Sequence, residues 1–268
     1  MLIVLPPIAP VFATADERSE RVSECLHGER VTKLSDHGQF VEVRAEIDGY
    51  CGYVEREHLQ TENPEQVTLS DSTAKCYQVA RRSTLLFSGP DIKSAVVAHL
   101  PLLAVVKLDP GYSHHDSSQK LAKTCCGRFI VCDHLMDAGS HLPIDRVSLA
   151  QLLYSGAPYL WGGRTPVGCD CSGMIQAVAR LTGVYLPRDS GEQEEAIEEV
   201  VEFEQRTSAD LVFWPGHVGI LQSADTLFHA NAHSMDCRIE PLQAVMKRAG
   251  EPSSLRRLPG ENMQEIYL

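Results

Sequence analysis

The sequence predicts an α+β chain, with two small all-β units followed by a region of helices packed with a sheet. Three observations carry that expectation. Cys171, Met174, Ile175, Val178 and Ala179 fall at i, i+3, i+4, i+7 and i+8, the spacing of one helix face. Downstream, residues 210–214, 217–221 and 226–231 are short apolar runs separated by turn residues, the pattern of neighbouring strands. Upstream, residues 11–31 align with 86–106 at an offset of 75, setting Phe12 on Phe87, Asp16 on Asp91, Ser19 on Ser94, Val22 on Val97 and Val31 on Val106. Short strands between turn-rich joints suit small antiparallel barrels.

In chain order, residues 1–68 form the first unit, with Val41-Glu42-Val43 between the turns Asp36-His37-Gly38 and Asp48-Gly49. With one residue inserted, Gly52-Tyr53-Val54 and His58-Leu59 match 127–130 and His134-Leu135, so residues 69–138 form a second unit. Residues 61–73, with Pro64 and no aromatic side chain, read as the joint between them, and 137–143 as the link to a third region, 139–268. There Asp145 is placed to cap a helix through Val147, Ala150, Leu153 and Tyr154. A glycine-rich loop then runs from Tyr159 to Asp170, a good N-cap, and Gly183 stands where a helix ends on a left-handed residue. Beyond it, residues 186–190 return toward the loop, the acidic run from Glu192 to Glu204 reads as a solvated face, 201–203 as a strand and 241–250 as a short helix.

Acidic residues outnumber basic ones 36 to 24, a net charge of −12 that argues against nucleic-acid partners and against docking on anionic lipid. Nine cysteines, an odd number, form no C-x-x-C pair, and neither Cys125-Cys126 nor Cys169 with Cys171 has zinc-ligand spacing. No metal is expected, and unpaired thiols suit a reducing compartment. Residues 1–15 are apolar and end Ala13-Thr14-Ala15, but they lack Lys or Arg and are broken by Pro6, Pro7 and Pro10. They are therefore not read as a signal peptide. No apolar run has the length of a membrane helix. The expectation is a cytoplasmic protein, monomeric and without a membrane partner.

Cys171 leads its helix from behind a glycine loop. A free cysteine is commonly just a small buried hydrophobe, but one in the first turn meets unpaired backbone N–H groups and the positive end of the helix dipole, which favour thiolate. Such a nucleophile needs a base and a group to orient it. His217 opens the strand after the Pro215-Gly216 turn, and His229 lies on the next strand.

Here a resemblance becomes specific. Y-L-W-G-G, D-C-S-G, L-P-R-D-S-G-E-Q, D-L-V-F-W, G-H-V-G-I and F-H-A-N-A occur in the order seen in the NlpC-type peptidases, papain-like enzymes that cut bacterial cell-wall peptides. The match spans residues 145–258. Two departures are the two-residue link between Trp214 and His217, and Ala209 where that family usually has glycine. The two N-terminal units resemble bacterial Src-homology-3-like barrels, through the segment from Ser19 to Glu24 ahead of Gly28-Glu29 and through Gly52-Tyr53-Val54.

The resemblance implies Cys171 as nucleophile, His217 as general base and His229 as the orienting residue; Asn231, two residues on, shares the strand face of His229 and is placed to assist it. It implies no cofactor. Relatives with such barrels cleave the γ-D-glutamyl–diamino acid bond (meso-diaminopimelate or Lys) of murein peptides with a free N-terminal L-Ala, in cell-wall recycling. In them a barrel wall and the residue before the cysteine close a pocket around the ammonium group. By that likeness Asp170 supplies a carboxylate for the ammonium, Ser172, Ser190 and Tyr159 line the pocket, and Tyr50 is the barrel tyrosine. An acyltransferase or amidase on the same Cys-His scaffold, and a non-enzymatic binder of wall peptides, are the competing functions.

Overall fold

The computed structural model describes residues 1–62, 75–111 and 120–260. It divides into two compact units, Met1–Ser140 and His141–Leu268. Most of the expected 61–73 joint lies outside the described residues.

In the first unit the apolar N-terminal stretch becomes barrel wall. Its strands Leu2–Val4 and Ile8–Phe12 belong to a seven-stranded antiparallel sheet ordered Arg21–Leu26, Ile8–Phe12, Cys51–Glu55, Phe40–Ala45, Arg30–His37, Leu2–Val4, Leu59–Thr61. Val4, Ala9, Val11, Cys25, Val31, Val41, Val43 and Val54 meet in its core. The 75-residue offset reappears in three dimensions. Ile8–Phe12 maps on the strand Ser83–Phe87 and Arg21–Leu26 on Val96–Pro101. After the one-residue insertion, the 3-10 turn Arg56–His58 maps on Cys132–His134 and Leu59–Thr61 on Leu135–Asp137. The second repeat keeps its own core, with Tyr77, Val79, Leu86, Leu100, Val106, Ile130 and Leu135. The repeats touch through backbone: Val105 N–H donates to His27 O at 2.7 Å. A Cβ on Gly28 would lie 2.1 Å from Val105 O.

The second unit is a six-stranded antiparallel sheet ordered Glu199–Val200, Ser254–Arg257, Leu211–Trp214, His217–Ser223, Thr226–Asn231, Asp236–Pro241. Helices α1 (Arg146–Tyr154) and α2 (Cys171–Leu181) pack together and against the His217–Ser223 and Thr226–Asn231 strands. A short α3 (Ser190–Ala196) follows, and α4 (Leu242–Ala249) seats Leu242 and Val245 against Val212, Trp214, Leu221 and Leu227. Side chains alternate along a strand, so Val218 and Ile220 face away from the α4 side. The expected caps are in place: Asp145 accepts the Ser148 N–H at 2.9 Å, and Gly183 carries φ +86 after the end of α2.

One element is shifted. The strand expected at 201–203 forms at Glu199–Val200, because pairing puts Glu199 opposite Arg257 and Val200 opposite Arg256. Phe203–Gln205 becomes a 3-10 turn, closed by Arg206, whose guanidinium donates to Phe203 O at 2.6 Å and lies 4.0 Å from the Phe203 ring centroid.

The turn before Leu211 explains why the resembled family favours glycine at 209. Ala209 sits at φ +72, held there because Asp210 accepts the Thr207 N–H at 2.7 Å and is clamped by Arg257 at 2.7 and 2.9 Å. Left-handed backbone costs an L-residue roughly 1–2 kcal/mol, partly offset by the entropy that glycine loses on folding, roughly 0.5–1 kcal/mol. Ala209→Gly should therefore raise stability by about 0.5–1 kcal/mol. The urea midpoint of the transition that carries the tryptophan signal of the second unit checks this, and an unchanged or lowered midpoint refutes it.

Candidate active site

The nucleophile loop and α2 meet because two glycines let backbone touch backbone. A Cβ on Gly173 would lie 2.2 Å from Gly163 O, and one on Gly163 would lie 2.4 Å from Gly168 O. Asp170 caps α2 and ties the loop to it. Its Oδ1 accepts the Gly173 N–H at 2.7 Å, and its Oδ2 accepts the Gly162 N–H at 2.9 Å. Arg188 then comes in from the segment before α3. It donates to Asp170 at 3.0 and 2.6 Å and to the Ser172 hydroxyl at 2.9 Å, and it is only 1% exposed.

This adds a partner that the sequence reading of Asp170 did not include. The Asp170 carboxylate does not stand unpaired awaiting an ammonium; a buried guanidinium already meets its charge. Ser172 is buried beside it, with its hydroxyl 3.3 Å from Asp170 Oδ1. Ser190 is buried at the first residue of α3, a helix joined to the nucleophile's start by Gln193, which donates to Ser172 O at 3.0 Å and Pro187 O at 2.9 Å. Tyr159 is half-buried, and burial together with the charges of Cys171 and Asp170 pushes its phenol well above the ordinary value. Tyr50 lies in the first unit, ahead of the Cys51–Glu55 strand, with its N–H on Asp48 Oδ1 at 3.0 Å.

Cys171 is buried at the first position of α2. Its sulfur lies 4.0 Å from Gly216 O and receives the backbone N–H of Val218, so it rests against the chain on both sides of His217. The Pro-Gly link makes this placement possible: Gly216 takes φ +74, and Trp214 pairs directly with His217 across the turn. His217 Nε2 lies 2.8 Å from His229 Nδ1. That leaves Nδ1 as the ring nitrogen of His217 available to a thiol. His217 and His229 are thus in direct contact, and the Cys171 sulfur lies against the backbone beside His217.

The row does not stop at His229. His229 Nε2 lies 2.9 Å from Glu240 Oε2 and 3.1 Å from Asn231 Nδ2. Arg248 on α4 donates to both Glu240 oxygens at 3.2 and 3.0 Å. Arg188, Glu240 and Arg248 were not expected as site residues. Arg188 had a signal in its L-P-R-D-S context, whereas Glu240 and Arg248 had none.

The protonation states also differ from the thiolate expected at a helix start. Burial raises the Cys171 thiol to about 11, aided by the neighbouring Asp170 carboxylate and opposed by the Val218 and Ser172 N–H groups and by Arg188. Burial lowers His217 to about 4, with His229 and Arg248 adding to the effect and Glu240 opposing it. Both shifts favour the neutral forms at pH 7, a thiol and a neutral imidazole, the starting point for general-base activation. Among the described residues, Glu55, Glu57 and His58 of the first repeat place ligand atoms within 4.8 Å of one another.

Residues 156–249 match the NlpC/P60 family, and residues 11–59 match the bacterial dipeptidyl-peptidase Sh3 domain. The chain carries an NlpC/P60 peptidase domain behind a bacterial SH3-like domain, and it is a hydrolase of that cell-wall peptidase kind. It is 24% identical over 253 residues to dipeptidyl-peptidase 6 of Lysinibacillus sphaericus, spanning 90% of this chain and 91% of the relative. It is 23% identical over 224 residues to the gamma-D-glutamyl-L-lysine dipeptidyl-peptidase of Bacillus subtilis, spanning 78% and 71%. An NlpC/P60 family protein from Bacillus cereus shares the fold, with a TM-score of 0.79 at 18% identity over 96% of this chain and 98% of that one.

The resting state is testable through alkylation. A thiol held near pKa 11 gains thiolate steadily as pH rises, so the rate of iodoacetamide addition at Cys171 should keep climbing from pH 6 to beyond pH 9. Peptide mass spectrometry of timed samples reads it. A rate already level from pH 5 upward would reveal a preformed thiolate–imidazolium pair instead.

Proposed function

We propose that this protein is a cysteine endopeptidase that hydrolyses the γ-D-glutamyl–diamino acid bond of murein peptides bearing a free N-terminal L-Ala. The observation that carries this reading is the Cys171–His217–His229 row. The sulfur lies at a helix start against Gly216 O, one residue before His217, and His229 engages Nε2 of His217; in this reading the other nitrogen, Nδ1, serves the thiol. His217 takes the thiol proton as Cys171 attacks the amide carbonyl. The Cys171 N–H, one of the unpaired donors of the first helical turn, is placed to stabilise the oxyanion. His217 then protonates the leaving amine, and water, activated by the same imidazole, hydrolyses the thioester. The activity for which the Bacillus subtilis relative is named, on a gamma-D-glutamyl-L-lysine bond, supports the choice of bond. An amidase or acyltransferase remains the second reading, favoured by the same geometry.

Substrate selection in this reading rests on Asp170, Ser172, Ser190 and Tyr159 of the second unit. Because Arg188 already neutralises Asp170, the ammonium meets a hydrogen-bond acceptor rather than a bare charge. The penalty for acylating the amine is then that of one charged hydrogen bond plus sterics, about 1.5–3 kcal/mol, or at least about tenfold in kcat/KM. Intact murein, whose alanine amine is acylated, is disfavoured on this basis, and the role we assign is cytoplasmic recycling.

Two results are expected with purified protein. Cys171→Ser should fold as the parent does and lose hydrolysis, because a base matched to a thiol does not activate a hydroxyl. Full activity in that variant would remove the mechanism. Free L-Ala-γ-D-Glu-diaminopimelate should be cut at least about tenfold better than its N-acetylated form. Equal rates would instead favour an enzyme of the intact wall, and transfer to an added amine with little free acid would favour the acyltransferase.

A further inference from the structure

The His217–His229 contact is ambiguous by itself, because either imidazole can donate to the other. The choice decides whether the site works. If His217 Nε2–H donates to His229 Nδ1, then His217 Nδ1 is bare and can accept the Cys171 proton. If His229 Nδ1–H donates instead, His217 Nε2 is the acceptor and the proton of the neutral ring sits on Nδ1, blocking the base.

Two groups at the far end of His229 pull in opposite directions. Glu240 Oε2, at 2.9 Å from His229 Nε2, can only accept as a carboxylate, so it demands a proton on Nε2 and leaves Nδ1 bare. Asn231 Nδ2, at 3.1 Å from the same nitrogen, can only donate, so it demands a bare Nε2 and puts the proton on Nδ1. The amide of Asn231 cannot turn to escape this conflict without loss. Its Oδ1 already accepts the Ser234 N–H and hydroxyl, each at 2.9 Å. Glu240 also offers the amide another acceptor, at 3.4 Å from Nδ2, so the carboxylate both takes the His229 proton and draws the competing donor away. Arg248 holds both carboxylate oxygens in place from α4.

We infer that Glu240, braced by Arg248, is a positioning residue that sets the tautomers of His229 and His217, and that Asn231 is the group it overrides. The inference rests on the proposed role of His217 as base. It concerns protons that a carboxylate directs through an intermediate imidazole, and Glu240 itself touches neither substrate nor thiol. It also revises the expectation for Asn231: the side chain does not assist His229 directly, and in the absence of Glu240 it selects the inactive tautomer.

The test combines kinetics with nitrogen NMR of histidine-labelled full-length protein. In the parent, His217 Nδ1 should be unprotonated and His229 Nε2 protonated. Glu240→Ala should reverse that pattern and lower kcat by about a hundredfold or more, within the roughly 10⁴-fold that a wrong imidazole tautomer costs in a catalytic triad, while KM moves little. Adding Asn231→Ala to Glu240→Ala removes the opposing donor and should restore kcat at least severalfold over Glu240→Ala alone. A merely structural role for Glu240 has no reason to show that recovery. The reverse pattern in the parent overturns the inference, whether or not any variant folds. So does a folded Glu240→Ala that keeps kcat within about threefold, or a double variant no better than the single. If the parent cleaves no murein peptide, the proposed function fails, but the nitrogen pattern of parent and Glu240→Ala still decides this inference.

Discussion

The buried ion pair between Asp170 and Arg188 is the interaction on which the second unit's chemistry depends. Three pieces of chain converge there: the glycine loop through Gly162, the start of α2 through Gly173 and Ser172, and the segment before α3 through Arg188. Neither charge is exposed to water to any useful degree, so each requires the other. Removing one partner of such a pair costs about 3–5 kcal/mol, because the survivor is left buried and uncompensated. Cys171, the proposed nucleophile, is the residue immediately after the cap, so any slackening of the pair moves its sulfur directly.

The same pair shapes the electrostatics around the nucleophile. A helix N-terminus alone lowers a thiol pKa, an effect of at most about 2 kcal/mol. Here the cap that satisfies the helix is itself a carboxylate adjacent to the thiol, and burial penalises the thiolate further. The burial that raises the Cys171 thiol and lowers His217 favours neutral forms of both, so in the proposed mechanism charge arises only when the proton moves. In that arrangement the direction in which each imidazole presents its proton matters more than the charge it carries. The row from His217 through His229 to Glu240 and Arg248 is accordingly part of the same design as the neutral pair.

Local pattern determined a great deal. The α2 face, its Asp170 cap and Gly183 end, the strands through His217 and His229, and the 75-residue repeat all come from periods and turn residues that act within a few positions. The apolar stretch at residues 1–15 was harder to place from sequence, since its hydrophobicity alone does not reveal that Leu2–Val4 pairs with both Arg30–His37 and Leu59–Thr61. Likewise Ala209 showed only as a departure from a familiar pattern until its positive φ supplied the reason.

By itself the sequence determined the fold class and the order of the units, and singled out Cys171, His217 and His229 as the proposed reacting row, because helix and strand periods are written locally and the motifs place those side chains on definite elements. Tertiary structure alone decided which partners tune them. Arg188 reaches Asp170 across 18 residues, and Glu240 reaches His229 from the neighbouring strand while Arg248 reaches Glu240 from a helix beyond it. Those meetings depend on sheet register and helix packing, and the burial that sets their charge states is a property of the assembled core.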